Sequence, residues 1–309
     1  MIIGIPRALF YWKNPIFWET FFEGLGEEVI LSPKTNKEIV GLGIENSDSE
    51  NCFSMKVFFG HILWLDGKCD CIFVPRFKTK RIGPKNQKDE FKGIFEYCPK
   101  FFGIPDLANI LTKTTILSET FDERERKKNK SLENIGKKFK KRKPIIEAAI
   151  NEAYFQKKRF EEMVEEEFRN KIKSLKKKII VVSHPYNLYD DYINLGIKNS
   201  LESLGAEVLY IDQVPIKEGI KIKGEGKIDF HWEFGREIME RLETILLDYD
   251  IDGVIEVSSF QCGCDAVLKE FVEKDVKKNK IPFLYLIIDE QSGEAGIQTR
   301  LEAFMDNIK

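Results

Sequence analysis

Short apolar runs of strand length, each followed by a helix-patterned segment, recur through both halves of this chain and limit it to one fold class. In the first half they lie at residues 2–5 (IIGI), 28–31 (EVIL) and 69–76 (CDCIFVPR). The second half repeats them at 179–186 (IIVVSHPY), 206–212 (AEVLYID), 252–259 (DGVIEVSS) and 282–289 (PFLYLIID). Strands alternating with helices argue for parallel sheets covered by helices, an α/β fold. Between 10 and 26 aromatics at helical spacing (Phe10, Phe17, Phe21, Phe22) predict one helix, and another is expected near 55–65. The segments GLGEEVILSP (24–33) and SLGAEVLYID (203–212) resemble each other, which fits two related halves with Gly205 as a helix C-cap.

Charge separates the halves. Across 122–178 the composition turns strongly ionic, with KKFKKRK followed by Pro144 and a long amphipathic pattern. Ile145, Ala149, Ala153, Phe160, Met163 and Ile172 recur at three- and four-residue intervals, which predicts a long helix over 145–176. The expected organisation is an N-terminal α/β domain (1–121), a charged helical connector (122–178) and a C-terminal α/β domain (179–309). Acidic residues follow the basic run closely, so it reads as a solvated helix face.

Composition removes several function classes. With 309 residues there is room for two domains, and 42% hydrophobic against 32% charged residues excludes wholesale disorder. Lys+Arg 49 against Asp+Glu 51 leaves −2, so no global field marks nucleic acid as a partner. No apolar run approaches the roughly 18 residues of a membrane span. MIIGIPRALFYW lacks the pattern of a secretion signal, and the expectation is a cytoplasmic protein. Six cysteines are too few for a secreted disulfide scaffold and read better as core residues, metal ligands or redox groups.

Four of the six lie beyond strands, where α/β sheets place their chemistry. Cys52 precedes a helix, Cys98 lies in CPKFFGIPD, read as a loop from its Pro and Gly, and Cys262 and Cys264 lie in SSFQCGCDA. Cys69 and Cys71 open a strand at its opposite end. Thiolates from three loops meeting in a cleft suit an iron–sulfur cluster, since helix starts offset its negative charge. Zinc and unconnected buried cysteines remain alternatives on spacing alone.

The segments IGIPRALFYW (3–12), CFSMKVFFGH (52–61), CIFVPRF (71–77), CPKFFGIPD (98–106), HPYNLYDDYIN (184–194), SSFQCGCD (258–265) and IDEQSGEAGIQTRLEAF (288–304) resemble the acyl-CoA dehydratase activase-related family. That family is related to 2-hydroxyacyl-CoA dehydratase subunits and double-cubane cluster proteins. The resemblance implies two Rossmann-like parallel-sheet domains flanking a 4Fe-4S cluster held by Cys52, Cys98 and Cys262, with one iron open. It implies dehydratase-like or low-potential reductase chemistry, in which an activator ATPase supplies a high-energy electron and a ketyl radical permits loss of water. No GxxxxGK[ST] occurs, so the activator is expected as a separate partner, with a CoA thioester or other small molecule as substrate and a dimer as one open arrangement. Where the family's turn usually reads Cys-Gly-Pro, this chain has Cys262-Gly263-Cys264. Cys264 as a fourth ligand would close the open iron and favour the alternative, a non-catalytic electron-transfer or accessory protein.

Other polar residues have two readings each. His184 is placed to donate a hydrogen bond to a substrate carbonyl or a cluster sulfur, or to stabilise its turn; Tyr186 and Asn187 share its loop. His61 reads as a packed core histidine and His231 as structural. Arg7 and Arg76 follow strands and suit either an anion or an internal ion pair. In the last motif Asp289, Glu290, Glu294 and Arg300 are clustered; Glu290 suits an acid or base near the cluster, or a scaffold for the loop GEAGIQTR, with Gly293 and Gly296 supplying its backbone angles.

Overall fold

A computed structural model describes residues 1–81, 94–122, 129–216 and 232–308. The N-terminal elements are β1 (Ile2–Ile5), α1 (Phe10–Lys13), α2 (Pro15–Gly24), β2 (Glu28–Leu31), α3 (Lys37–Glu45), α4 (Phe53–Leu65), β3 (Cys71–Phe73), β4 (Arg76–Arg81), β5 (Ile94–Glu96), α5 (Pro99–Leu111), β6 (Thr115–Leu117) and β7 (Thr120–Asp122). Two helices connect the halves, α6 (Lys130–Lys138) and α7 (Lys143–Lys171). The C-terminal elements are β8 (Lys177–Val182), α8 (Pro185–Leu188), α9 (Ile197–Ser203), β9 (Ala206–Tyr210), α10 (Glu233–Asp248), β10 (Gly253–Ser259), α11 (Gly263–Lys278), β11 (Phe283–Ile288) and α12 (Glu294–Asn307).

The two main sheets are parallel and share one topology. Their orders are β2-β1-β3-β6 and β9-β8-β10-β11, so each first strand pairs with the second and the third. This is the arrangement of two Rossmann-like halves. The repeated GLG and SLG segments have the same role in each, ending a helix at a left-handed glycine (Gly26, φ 77°; Gly205, φ 87°) just before the second strand. A third sheet, β5-β4-β7, mixes antiparallel and parallel pairing.

Three local expectations change. The helix expected from Phe10 to Gly26 breaks in two, because Pro15 disfavours α geometry at Asn14 (φ −147°, ψ 60°) and opens α2. The connector helix buries Ile146, Ala149, Ile150 and Ala153 against α2, while Ile145 and Met163 are exposed. That stripe serves the N-terminal core; Phe168, about four turns beyond its end, serves the C-terminal one, and the span between leaves the helix solvated. Cys98 lies in the short link between β5 and α5, but the segment after it is no loop: Pro99 takes the first position of α5, where a missing N–H costs nothing.

Helix α4 is the centre of the molecule. Every residue from Phe53 to Ile62 is buried, as expected for a helix apolar on all sides. Phe53 and Val57 belong to the core of the C-terminal half, while Met55, Phe58 and Phe59 join Phe101 with Tyr186 and Phe234 in a core between the halves.

At the end of α4, Asp66 ties the next crossover. It accepts from the Thr112 and Thr114 hydroxyls (2.5 and 2.6 Å) and from Thr114 N–H (2.9 Å). Partial burial pushes its carboxyl up, but these hydrogen bonds prevail and hold it at about 2. A depressed carboxyl stabilises the fold above the unfolded value near 4, and the contribution disappears as pH falls towards 2. Asp66→Asn should therefore cost about 1–2 kcal/mol in urea melts at pH 7, with the gap narrowing at pH 3. An equal gap at both values would refute the ionic account.

Candidate functional site

Cys52, Cys98 and Cys262 occupy one position in three different helices: each is the N-cap residue, of α4, α5 and α11. All three, with Cys264 in the first turn of α11, line a single small cavity of about 30 Å³. Its walls are Leu9, Met55, Phe101, Tyr186, Trp232 and Phe234, with Lys100 and His184 among the polar lining. In the C-terminal half the cavity lies beyond the carboxyl ends of β8 and β10, where strand order reverses, the usual ligand crevice of such a sheet. Two non-glycine residues in left-handed backbone adjoin it, Leu9 (φ 49°) and Gln261 (φ 63°). Such conformations cost about 1–3 kcal/mol each and concentrate at functional sites.

The thiols are electrostatically unequal. Cys264 lies within hydrogen-bond reach of both Cys98 and Cys262 and has one proton to offer them, so its own thiol is pushed far up. A hydrogen bond from Cys264, helped by the Lys100 N–H and the His184 and Lys100 charges, outweighs burial and lowers Cys98 to about 6. Cys262 falls to about 7, again chiefly through Cys264, with His184 assisting against burial and Asp265. Burial, reinforced by Cys262, raises Cys52 to about 12. These are sulfurs that share protons and would release them to a thiophilic metal.

His184 is buried (3% exposed), and the structure assigns it more than a turn. Its Nε2 lies 2.6 Å from Asp265 Oδ1, and its ring stacks on Tyr186 at 5.0 Å. Burial alone would lower it, but Asp265 and then Cys262 raise it to about 10. Its Nδ1 is buried without a partner. His184, Cys262 and Asp265 place one ligand atom each within 4.8 Å, yet Nε2 and the carboxylate already satisfy one another. Asp265 orients the ring, and Nδ1 is the nitrogen left for something in the cavity.

The remaining predicted residues are dispersed. Glu290 does not line the cavity; it pairs with buried Lys56 of α4 at 2.7 Å, with its Oε2 unpartnered. Asn187 joins a buried network across the halves, accepting from Ser54 (2.7 Å) and Ser259 (3.3 Å) and donating to Ser183 (3.0 Å). Arg76 forms the ion pair within the fold, one guanidinium nitrogen reaching both Asp106 carboxylate oxygens at 2.9 and 2.8 Å and the other donating to Phe102 O. Arg7 has its Nε buried and unpartnered. Asp289 holds its loop through Gln291 N–H and Ser292. That loop stops at Gly293 in extended backbone (φ −110°), and Glu294 onward is helix α12, so neither Gly293 nor Gly296 serves a left-handed turn. His231 lies outside the described residues.

Cys69 and Cys71 stay away from the cavity. Cys69 Sγ donates to Leu65 O (3.6 Å), and burial lifts Cys71 to about 11 in the N-terminal core. Sequence reading passed over Lys56, Ser54 and Asp265. A lysine within FSMKVFFGHILWL was the available signal for the first, since a charge on an all-apolar helix needs a partner.

Comparison with known proteins adds a family. Residues 2–214 match the profile "CoA enzyme activase uncharacterised domain (DUF2229)", and residues 235–308 match "2-hydroxyglutaryl-CoA dehydratase, D-component". No curated protein matches the chain. Similar solved structures include a Zn(II)-bound mutant variant of AdcAII of Streptococcus pneumoniae, 12% identical with a TM-score of 0.25, covering 100% of this chain and 99% of that one. The laminin-binding protein Lbp of Streptococcus pyogenes is 12% identical with a TM-score of 0.26, covering 100% and 98%. At those scores neither likeness bears on the fold or the site. Among the described residues no helix is long and apolar enough to cross a membrane. The first profile takes in both the N-terminal sheet and the opening of the second, and on that match the chain belongs to the CoA enzyme activase uncharacterised domain family.

Proposed function

We propose that the cavity between the halves holds a 4Fe-4S cluster on Cys52, Cys98 and Cys262, and that the protein is a 2-hydroxyacyl-CoA dehydratase-like component fed by a separate activator ATPase. One observation carries the reading: three cysteines, each heading a separate helix, converge with Cys264 and His184 on one cavity. The donor set fits the group, being thiol-rich, with helix starts to offset its negative charge. The family match and the dehydratase D-component match support an activator partner and a CoA-linked substrate.

When bound, such a cluster supplies low-potential one-electron transfer. The chain does the rest. Phe101, Tyr186 and Phe234 form an apolar wall beside the half-buried thiols, and Lys100 adds a cation to the cavity. His184, fixed by Asp265, presents Nδ1 to whatever occupies the cavity, as hydrogen-bond partner or proton carrier. Glu290 stays outside the cavity and, through Lys56, holds the helix that carries Cys52. The position of Cys264 among the other thiols favours a second reading, a fully ligated cluster in an electron carrier.

Anaerobically purified protein should be brown, with about four irons and four sulfides per chain. Cys52→Ser, Cys98→Ser and Cys262→Ser should each remove most of the iron, and Cys69→Ser and Cys71→Ser should retain it. Colourless protein with stoichiometric zinc, or iron loss in Cys69→Ser equal to that in Cys98→Ser, would overturn the assignment. Added cyanide separates the two readings. A catalyst with an open iron responds in its reduced spectrum; a carrier responds only after Cys264→Ala.

A further inference from the structure

A second set of buried polar groups joins the halves well away from the thiols. The Arg7 backbone N–H donates to Ser32 Oγ at 2.8 Å. Ser32 Oγ lies 2.8 Å from His61 Nδ1, and His61 Nε2 lies 3.0 Å from Thr35 Oγ1. Thr35 Oγ1 in turn donates to Asp190 Oδ2 in the C-terminal half, whose Oδ1 accepts from Tyr192 and Ile193 N–H (3.1 and 3.3 Å). Ser32 and His61 are fully buried.

The proton positions follow by elimination. Burial raises Asp190 to about 6, so above that pH it is ionised and only accepts, and the single hydroxyl proton of Thr35 points at it. Towards His61, Thr35 can then only accept, and Nε2 must carry hydrogen. Burial, with Arg7 nearby, lowers His61 to about 3, so the ring is neutral and has one N–H. Nδ1 is therefore bare and takes the proton of Ser32. Every member is satisfied in one direction only, which makes the chain of bonds specific as well as stable.

Two members of this chain of bonds belong to elements that bear the cavity. His61 lies on α4, whose N-cap is Cys52; Asp190 closes the segment that begins at His184. We infer that His61, as the neutral Nε2–H tautomer, is a positioning residue that locks the helix of Cys52 to the loop of His184 across the joint between the halves. The inference concerns the joint itself; only its consequence for iron retention rests on the proposed cluster.

Metal-free protein supplies the first test. The chain has three histidines, so ¹⁵N-histidine spectra at pH 7.5 can be assigned by single substitutions. His61 should show a neutral Nε2–H ring; an Nδ1–H ring or an imidazolium would overturn the inference. In hydrogen-exchange mass spectrometry His61→Phe should accelerate exchange about tenfold in peptides covering 52–61 and 184–194, with the far edges of both sheets unchanged. His61→Gln, which offers an acceptor and a donor, should restore most of the protection. Thr35→Val, milder for the fold, should loosen 184–194 alike. Unchanged exchange in Thr35→Val and His61→Phe would remove the positioning role, whatever the cavity binds. In cluster-loaded protein, iron transfer to a chelator should be about tenfold faster in His61→Phe and near normal in His61→Gln; an unchanged rate would overturn the link to Cys52.

Discussion

Alanine at Gly43 or at Gly60 should unfold the joint at which the site is built, costing about 3 kcal/mol or more in a urea melt. Helices α3 and α4 meet through these two glycines, each facing the other helix's backbone. A Cβ on Gly43 would collide with the Lys56 carbonyl, and one on Gly60 with the Ile39 carbonyl. Neither obstacle is the flexible end of a side chain, so whole helices must separate. Alanine's better helix propensity, worth about 1 kcal/mol, cannot offset that. Helix α4 carries Cys52, Lys56 and His61, and its displacement should also abolish iron binding. Gly41→Ala is the control. It lies on α3 beside Gly43 with open space around it, and should stabilise by up to about 1 kcal/mol. Wild-type melting of Gly43→Ala would mean that the helices do not approach this closely.

Replacing buried Glu256 by glutamine should stabilise the protein near neutral pH. Glu256 lies mid-strand in β10, 2% exposed, with its Oε2 unpartnered. Burial, then the Asp265 carboxylate, raises it to about 9 against the pull of Lys269 and His184. The unfolded carboxyl ionises near 4.3. Between those values the folded state keeps a proton that the unfolded state has released, so this group's support is complete below about 4 and declines as pH rises through 9. Its slope approaches 1.4 kcal/mol per pH unit. Glutamine is neutral throughout. Allowing for its unmet amide, Glu256→Gln should gain about 1–2 kcal/mol at pH 8 and flatten the profile from pH 5 to 9. Parallel wild-type and variant profiles would show that Glu256 is ionised when folded.

Most of the framework was legible as pattern. Apolar runs of strand length made β1, β2, β8, β9, β10 and β11 readable, although β2, at the sheet edge, is not buried, and the repeated glycine before β2 and β9 announced a shared topology. Boundaries were harder where two local signals competed. Pro15 interrupted a pattern that aromatics alone made continuous. Pro99, which looked like loop chemistry, opened α5. On α7 the charged surface hid a one-residue error of phase, because Ile145 and Ile146 both suit a periodic pattern and only the packing of α2 selects the second.

By itself the sequence determined what could be buried and what could bind: two α/β halves, a charged connector, and cysteines concentrated beyond strand ends. Those properties are local, set by side-chain chemistry and by periods of two and 3.6 residues. Only the tertiary structure decided which groups meet. That Cys52, Cys98 and Cys262 each cap a helix aimed at one cavity, that Glu290 answers Lys56, and that Asp265 rather than a turn holds His184 all depend on contacts across the joint between the halves. Partners such as Lys56 and Glu290 are separated by more than two hundred residues, and no local propensity records such a pairing. Packing around α4 supplies it, because a helix buried on every side leaves its polar groups no water to turn to.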